Sequence, residues 1–175
     1  ISAQDIIIGT GQRPSILPIP GKELMHDSRD FLDLPELPKH LTFIGAGIVS
    51  LEFAMLVRAA GAQVTVIEFA DTALRGVEEK YVEQILQRMR DLGIELHFNE
   101  AVQSVVKQDS RLVVTTANGL KVTTDYVVAG TGRIPNVEEL ALDKVGVKFD
   151  KTGILVDDHL QTNVEHIYAS GDVIA

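Results

Sequence analysis

Three small residues where an apolar strand meets a helix constrain the fold of this chain more than any other feature. Segment 41–44 is typical of a buried strand, Gly45, Gly47 and Ser50 follow it, and segment 48–60 has helical apolar spacing. In this pattern the first glycine permits a tight turn, the second lets a pyrophosphate approach the backbone, and the small third residue lets strand and helix pack closely. The helix N-terminus supplies free N–H donors. The pattern predicts a dinucleotide site, with an ordinary structural turn as the alternative.

An acidic residue follows the next predicted strand, 63–67, as a dinucleotide site requires. Glu68 lies 23 residues after Gly45, close to the spacing of about 20 expected for a ribose-binding carboxylate. A carboxylate there repels a 2′-phosphate by about 4 kcal/mol at an effective dielectric of about 20. Asp71 adds negative charge nearby, whereas Arg75 is either a 2′-phosphate partner or a solvated loop cation. The sequence therefore favours NAD(H) over NADP(H).

The order of the predicted elements indicates an α/β, Rossmann-like FAD/NAD(P)-binding domain. Helical periodicity alternates with apolar strands in the first part, and the pattern then changes to period two. We expect a parallel sheet with helices on one face and a three-stranded antiparallel β-meander on the other. Beyond the segments named above, the sequence predicts helices over 27–34 and 77–92 and strands over 5–8, 94–98, 102–106, 111–116, 120–124, 126–129, 154–156 and 166–169.

The composition excludes several classes of function. A formal net charge of −9 disfavours nucleic acid as a partner, and no apolar run approaches the roughly 18 residues of a membrane helix. The chain has no cysteine, so disulfides, thiolate metal sites and cysteine nucleophiles are excluded within it. We expect a cytoplasmic protein, which suits this absence. The five histidines are scattered without ligand spacing, so no metal site is expected.

Four motifs occur in order along the chain: IIGTGQRP at 7–14, GAGIVSLEFA at 45–54, AGTGRIPN at 129–136 and IYASGDV at 167–173. They resemble the motifs ATGSxP, GxGxIGxEFA, ATGRxPN and IYAxGDV of the class I pyridine nucleotide–disulfide oxidoreductases. This family of flavoproteins includes glutathione reductase and lipoamide dehydrogenase.

The resemblance implies a domain organisation. Residues 1–13 and 166–175 are expected to be edges of a flavin domain, and residues 14–165 to be the NAD(P)H-binding domain inserted into it. The first residue is not an initiator methionine, which suits a segment of a longer protein. The family's redox-active cysteine pair, FAD fingerprint and dimerisation domain are not in this chain. We therefore expect FAD only in the full-length parent, a homodimeric parent, and no turnover by this chain alone.

The resemblance also assigns roles to individual residues. Glu52 is expected to support the pairing of nicotinamide and flavin, Ile48 and Val49 to line the nicotinamide approach, and Asp172 to bind the flavin's ribityl–phosphate region in an intact enzyme. No catalytic residue is expected within the chain. The complete predicted cofactor site is Gly45, Ala46, Gly47, Ile48, Val49, Glu52, Glu68, Phe69, Arg75, Val102, Thr131, Gly132 and Asp172.

The predicted function follows from the resemblance and the glycine motif together. The chain is expected to present NADH for hydride transfer to FAD, which then reduces a disulfide or a related acceptor. Two alternatives share the same domain: a cysteine-free flavin reductase and a non-catalytic NAD-sensing module. The expected partners are a nicotinamide dinucleotide and the flavin domain of the parent chain.

Overall fold

The computed structural model describes residues 2–175, and this part of the chain divides into two compact units. The sheet unit is Ser15–Gly132, and the flanking unit combines the residues up to Pro14 with Arg133–Ala175. The sequence-based boundaries placed residues 133–165 with the nucleotide-binding segment. In the structure these residues belong to the same unit as residues 2–14 and 166–175. Which unit binds which cofactor stays a prediction.

The elements of both units are short, apart from two helices. The helices are α1 (Ser28–Leu32), α2 (Ile48–Ala59), α3 (Glu79–Asp91) and α4 (Leu142–Val145). The strands are β1 (Ile6–Ile8), β2 (Gln12–Pro14), β3 (His40–Ile44), β4 (Gln63–Ile67), β5 (Glu95–His97), β6 (Val102–Gln108), β7 (Arg111–Thr116), β8 (Lys121–Thr124), β9 (Tyr126–Ala129), β10 (Arg133–Pro135) and β11 (Ile167–Ala169). Single 3-10 turns occur at Lys22–Leu24, Glu138–Leu140 and Gly171–Val173.

The sheet unit contains the predicted parallel sheet and β-meander. Strands β5, β4, β3 and β9 form the parallel sheet in that order, and β6, β7 and β8 form the antiparallel meander. Alternate side chains of β3 point to opposite faces. Leu41 and Phe43 pack in the helix-side core with Leu51 and Met89, whereas Ile44 packs in the meander-side core. The Rossmann-like α/β fold is therefore confirmed, with helices and meander on opposite faces of one sheet.

Helix α3 illustrates why the amphipathic pattern predicts this layer. Its buried residues are Val82, Leu86 and Met89, which lie on one side of a 3.6-residue repeat, while the charged residues between them face water. Full burial of each such side chain stabilises the fold by about 1.5–3 kcal/mol relative to exposure. Gly93 follows the helix in a left-handed conformation (φ +76°), as expected for a helix stop.

The flanking unit has its own small core and two short sheets. Strands β1 and β11 pair in parallel, and β2 and β10 pair antiparallel. The sequence did not predict the β2–β10 pair, since each strand carries a proline, a residue confined to edges and strand ends. The predicted strand at 154–156 is wrong. Of its residues only Ile154 forms ladder contacts, as isolated bridges to Phe149 and Ile174.

Within residues 2–175, no helix has both the length and the apolar character needed to cross a membrane.

Candidate functional site

A cleft of about 640 Å³ lies within the sheet unit, where β3, β4 and β9 end. The carboxyl ends of parallel strands are the usual binding edge of an open α/β sheet, and the volume is within the range of ligand pockets. Its lining residues are Leu17, Ile44, Gly45, Ala46, Gly47, Ile48, Ile67, Glu68, Phe69, Thr72, Leu74, Arg75, Val77, Glu100, Ala101, Val102, Gly130, Thr131 and Gly132.

The glycine turn, residues 45–50, connects β3 to α2 and forms the floor of this cleft. Gly45 has φ +97°, and a β-carbon there would lie 2.4 Å from the carbonyl oxygen of Gly130. Glycine is therefore required at position 45 by both backbone conformation and space. Gly47 is different: a β-carbon on it would meet no atom within 4 Å. The space beside Gly47 is open to a ligand, whereas the space beside Gly45 is filled by the protein.

The N-terminus of α2 presents unused hydrogen-bond donors to the cleft. Gly47 is the N-cap, no side chain of the described residues caps the helix, and the first turn carries no acidic residue. The first backbone N–H groups of a helix have no intrahelical acceptor, and the helix dipole places positive potential at them. This end of α2 is suited to hold an anionic group such as a phosphate.

The carboxylate of Glu68 lies directly beside the glycine turn. Its side chain is 7% exposed. One oxygen, Oε2, accepts from the Ala46 N–H at 2.7 Å, and Oε1 accepts from the Ala70 N–H at 2.9 Å. Each carboxylate oxygen has two acceptor positions, so both oxygens keep one for a further donor. Glu68 therefore places a fixed negative charge with spare acceptor capacity at the end of β4.

An aromatic ring and a cation form the rim of the cleft beyond Glu68. Phe69 is 61% exposed, and the Arg75 guanidinium carbon lies 4.9 Å from the centre of its ring. This distance is within the range of a cation–π interaction. The rim thus combines an exposed flat ring with an exposed positive charge, next to the buried negative charge of Glu68.

The second glycine-rich segment, 130–132, lines the cleft beside the glycine turn. Gly130 N–H donates to the Ile44 carbonyl at 2.8 Å, and the Thr131 hydroxyl donates to the Ser15 carbonyl at 2.5 Å. These bonds hold the segment against the end of β3 and against the start of the sheet unit.

Ten of the thirteen residues predicted for the cofactor site line this one cleft. They are Gly45, Ala46, Gly47, Ile48, Glu68, Phe69, Arg75, Val102, Thr131 and Gly132. Val49 and Glu52 are exposed on α2 and do not line it. Asp172 belongs to the flanking unit, in the 3-10 turn Gly171–Val173. The structure brings the first ten residues together and places the other three elsewhere.

The sequence did not identify nine of the lining residues. Gly130 could have been found, because it ends a predicted strand in the run Gly130-Thr131-Gly132. Leu17 carried no signal, since it follows no strand and belongs to a proline-rich connection. The other seven are Ile44, Ile67, Thr72, Leu74, Val77, Glu100 and Ala101. Among residues 2–175 no three His, Cys, Asp or Glu side chains are grouped to hold a metal ion.

Comparison with known proteins identifies the class first. The family model described as pyridine nucleotide–disulphide oxidoreductase matches residues 1–175. The chain therefore belongs to the pyridine nucleotide–disulphide oxidoreductase family, as its four motifs predicted.

Particular relatives agree with this assignment. The chain is 34% identical over 175 residues to dihydrolipoyl dehydrogenase of Bacillus subtilis, with 98% of this chain and 38% of the relative covered. It is 36% identical over 174 residues to glutathione reductase of Burkholderia cepacia, with 99% and 39% covered. The chain thus spans about two fifths of the length of these relatives.

A solved structure shows the same architecture. The Cu(II) complex of the HOCl-induced flavoprotein disulfide reductase RclA from Escherichia coli superposes with a TM-score of 0.93 at 29% identity. The alignment covers 99% of this chain and 41% of that one. A fold this close confirms that the chain is a Rossmann-like segment of the family.

Proposed function

We propose that this chain is the NAD(H)-binding domain of an FAD-dependent pyridine nucleotide–disulphide oxidoreductase. The observation that carries the proposal is the open space at Gly47 beside the uncapped N-terminus of α2. The spaces beside Gly45 and Gly130 are filled by protein, whereas the space at Gly47 is open and lies at the helix N-terminus. A pyrophosphate can therefore come within hydrogen-bond distance of backbone N–H groups there. The family membership supports the same assignment, since its name specifies a pyridine nucleotide.

Different residues of the cleft bind different parts of the dinucleotide. The α2 N-terminus stabilises the pyrophosphate charge, and the spare acceptor positions of Glu68 receive the hydroxyls of the adenosine ribose. Val102, Thr131 and Gly132 complete the lining of the cleft. When bound, NADH supplies the hydride that an acceptor flavin takes up. The chain's own contribution is to bind the dinucleotide and to orient it.

We propose NADH rather than NADPH as the preferred cofactor. The Glu68 carboxylate is buried and fixed by two hydrogen bonds, so it cannot swing away from an additional phosphate. Arg75 offers a counter-charge, but it is exposed and already placed over Phe69. A fixed buried charge is screened less than an exposed one, so the repulsion from Glu68 outweighs the attraction to Arg75.

The flavin-side roles follow the same proposal. Glu52, exposed on α2, is proposed to support the pairing of nicotinamide and flavin in the full-length parent, and Asp172 to contact the flavin there. FAD, the final reduction of a disulfide or a related acceptor, a homodimeric state and a cytoplasmic location are proposals for that parent.

Calorimetric titration of the purified chain with NADH and with NADPH tests the function. We expect saturable binding of NADH and weaker binding of NADPH. The variant Gly47→Ala keeps the melting temperature, since its β-carbon meets nothing within 4 Å, and raises the NADH dissociation constant by about tenfold or more. Gly9→Ala is the matched control: it too enters open space, in the flanking unit. Absence of binding at millimolar nucleotide, or equal binding by Gly47→Ala, would contradict the proposal.

A further inference from the structure

Ala46, which lies between Gly45 and Gly47 in the glycine turn, is held at its N–H and at its carbonyl by the loop that follows β4. Its N–H donates to Glu68 Oε2 at 2.7 Å, and its carbonyl accepts from the Leu74 N–H at 3.1 Å. These two bonds fix the two peptide groups that flank Ala46. One loop therefore sets the orientation of two successive peptide planes of the turn.

The second of these planes contains the Gly47 N–H. A peptide group is planar and trans, so its N–H points away from its C=O. Because the Ala46 carbonyl is directed at Leu74, the Gly47 N–H is directed away from the loop. The loop after β4 thus aims a donor that lies beside the open space at Gly47.

Glu68 is itself immobilised, so it can act as a rigid support. Its N–H donates to the His97 carbonyl at 2.8 Å, and its carbonyl accepts from the Glu100 N–H at 2.9 Å. Its second carboxylate oxygen accepts from Ala70. Hydrogen bonds within the protein therefore fix both the backbone and the side chain of Glu68 without a ligand, and the side chain is almost fully buried.

We infer that Glu68 is a positioning residue that holds the glycine turn in its binding conformation through Ala46, in addition to any contact with the ribose. The nucleotide part of this inference rests on the proposed function; the part that concerns the turn does not. A glutamine cannot replace the carboxylate, because its one oxygen can serve only one of the two N–H groups while its NH2 group faces the other. Removing the charge therefore loosens the turn, and relief of phosphate repulsion does not by itself create an NADPH site.

Amide hydrogen exchange of the nucleotide-free chain tests the turn directly. In Glu68→Gln we expect the amides of Ala46 and Ala70, taken together, to exchange about tenfold faster or more, as loss of a buried hydrogen bond implies. The Val66 amide in the sheet is the internal control and keeps its rate. Asp71→Asn is the matched variant: it removes one negative charge from the same loop and leaves Ala46 protected. Unchanged exchange at both alanines in Glu68→Gln would overturn the inference.

Nucleotide titration gives a second measurement, which distinguishes a Glu68 that supports the turn from a Glu68 that only binds the ribose. In Glu68→Gln the dissociation constant for NADH rises and that for NADPH does not fall. A several-fold gain in NADPH affinity with the Ala46 amide still protected would overturn the inference, because Glu68 would then act only on the cofactor. If Glu68→Gln does not fold, Glu68→Asp keeps the charge but is one methylene too short, and the same local increase in exchange is expected. Failure of the proposed function appears separately, as absence of nucleotide binding by the unmodified chain.

Discussion

The Ser50 hydroxyl lies against the α-carbon of Gly130, so close that a β-carbon on Gly130 would be 1.8 Å from Ser50 Oγ. This contact joins the first turn of α2 to the end of β9. Ser50 is 1% exposed, and its hydroxyl has no hydrogen-bond partner among the described residues. The third small residue of the motif therefore permits the close approach of helix and strand, at the expense of an unsatisfied buried hydroxyl.

Gly130→Ala is expected to destabilise the chain by about 1–3 kcal/mol, since the new methyl group must displace the hydroxyl within a packed site. Ser50→Ala alone is expected to be neutral or stabilising, because it removes an unpartnered polar group. In the double variant two contacts remain, to the residue-50 Cβ at 3.2 Å and to the Ile44 carbonyl oxygen at 3.4 Å, and both are far less severe. Chemical denaturation of the unmodified chain, the two single variants and the double variant measures the coupling energy between positions 50 and 130. Additive effects would contradict the packing account.

The ion pair of Arg13 and Glu138 predicts a pH dependence at the acid end. Hydrogen bonding from Arg13, whose guanidinium binds both carboxylate oxygens at 2.5 and 2.8 Å, lowers the pKa of Glu138 from 4.5 to about 2. Because the pKa of Glu138 is lowered in the folded chain, the ion pair stabilises the fold above pH 4.5. This stabilisation is lost as the pH falls towards 2. Glu138→Gln should therefore melt below the unmodified chain near neutral pH, with the difference closing on acidification. Thermal melts measure this difference, and Glu139→Gln, at the exposed neighbouring residue, is the matched variant for the loss of one charge.

The Tyr126 phenol is expected to lose its proton only at a pH well above that of an ordinary tyrosine. It stacks on His26, with ring centres 4.1 Å apart, and burial, assisted by Asp30 and Asp27, raises its pKa to about 12. Because the raised pKa favours the neutral phenol, the associated stability is present below pH 10 and is lost as the pH rises towards 12. We expect the ultraviolet titration to show a late component that Tyr126→Phe removes. Its persistence in that variant, or its loss in Tyr81→Phe, would contradict this assignment.

Arg58 connects the ends of the two long helices. Its Nε donates to the Leu92 carbonyl at 2.6 Å, just past α3, and Nη1 donates to the Ala62 carbonyl at 3.1 Å. Lysine cannot make both bonds with one planar group, so Arg58→Lys should cost about 1–2 kcal/mol in urea unfolding. Arg88→Lys, an exposed site on α3, should change stability by less than about 0.5 kcal/mol.

Local sequence patterns were sufficient to predict the fold and most of the cleft. Glycine spacing, strand patterns and the acidic residue after β4 are each visible within a few residues of sequence. Together they assigned Gly45, Gly47 and Glu68 to one cofactor site. The hydrogen bond from Ala46 to Glu68 depends on how the loop after β4 folds back, which no periodicity encodes. Position 17 could not be predicted for the same reason, because only the tertiary fold places it in the cleft.

The wrong strand at 154–156 has a related cause. Three apolar residues in a row favour β-structure locally, but a strand needs a partner along its whole length. Only Ile154 finds one here, and its burial in the flanking core satisfies the apolar signal without a ladder. Short apolar runs predict burial better than they predict pairing.

The two ends of the sheet unit are hydrogen-bonded to each other: the Ser15 N–H donates to the Gly132 carbonyl at 3.0 Å. A segment whose entry and exit points coincide can be inserted into a host chain, or exchanged for another, without altering the path of the host backbone. Residues 15–132 therefore form a segment that can be inserted or exchanged as one piece. Under the proposed function, replacing this segment at its one junction would change the electron donor of the parent oxidoreductase, and protein engineers can use the same junction.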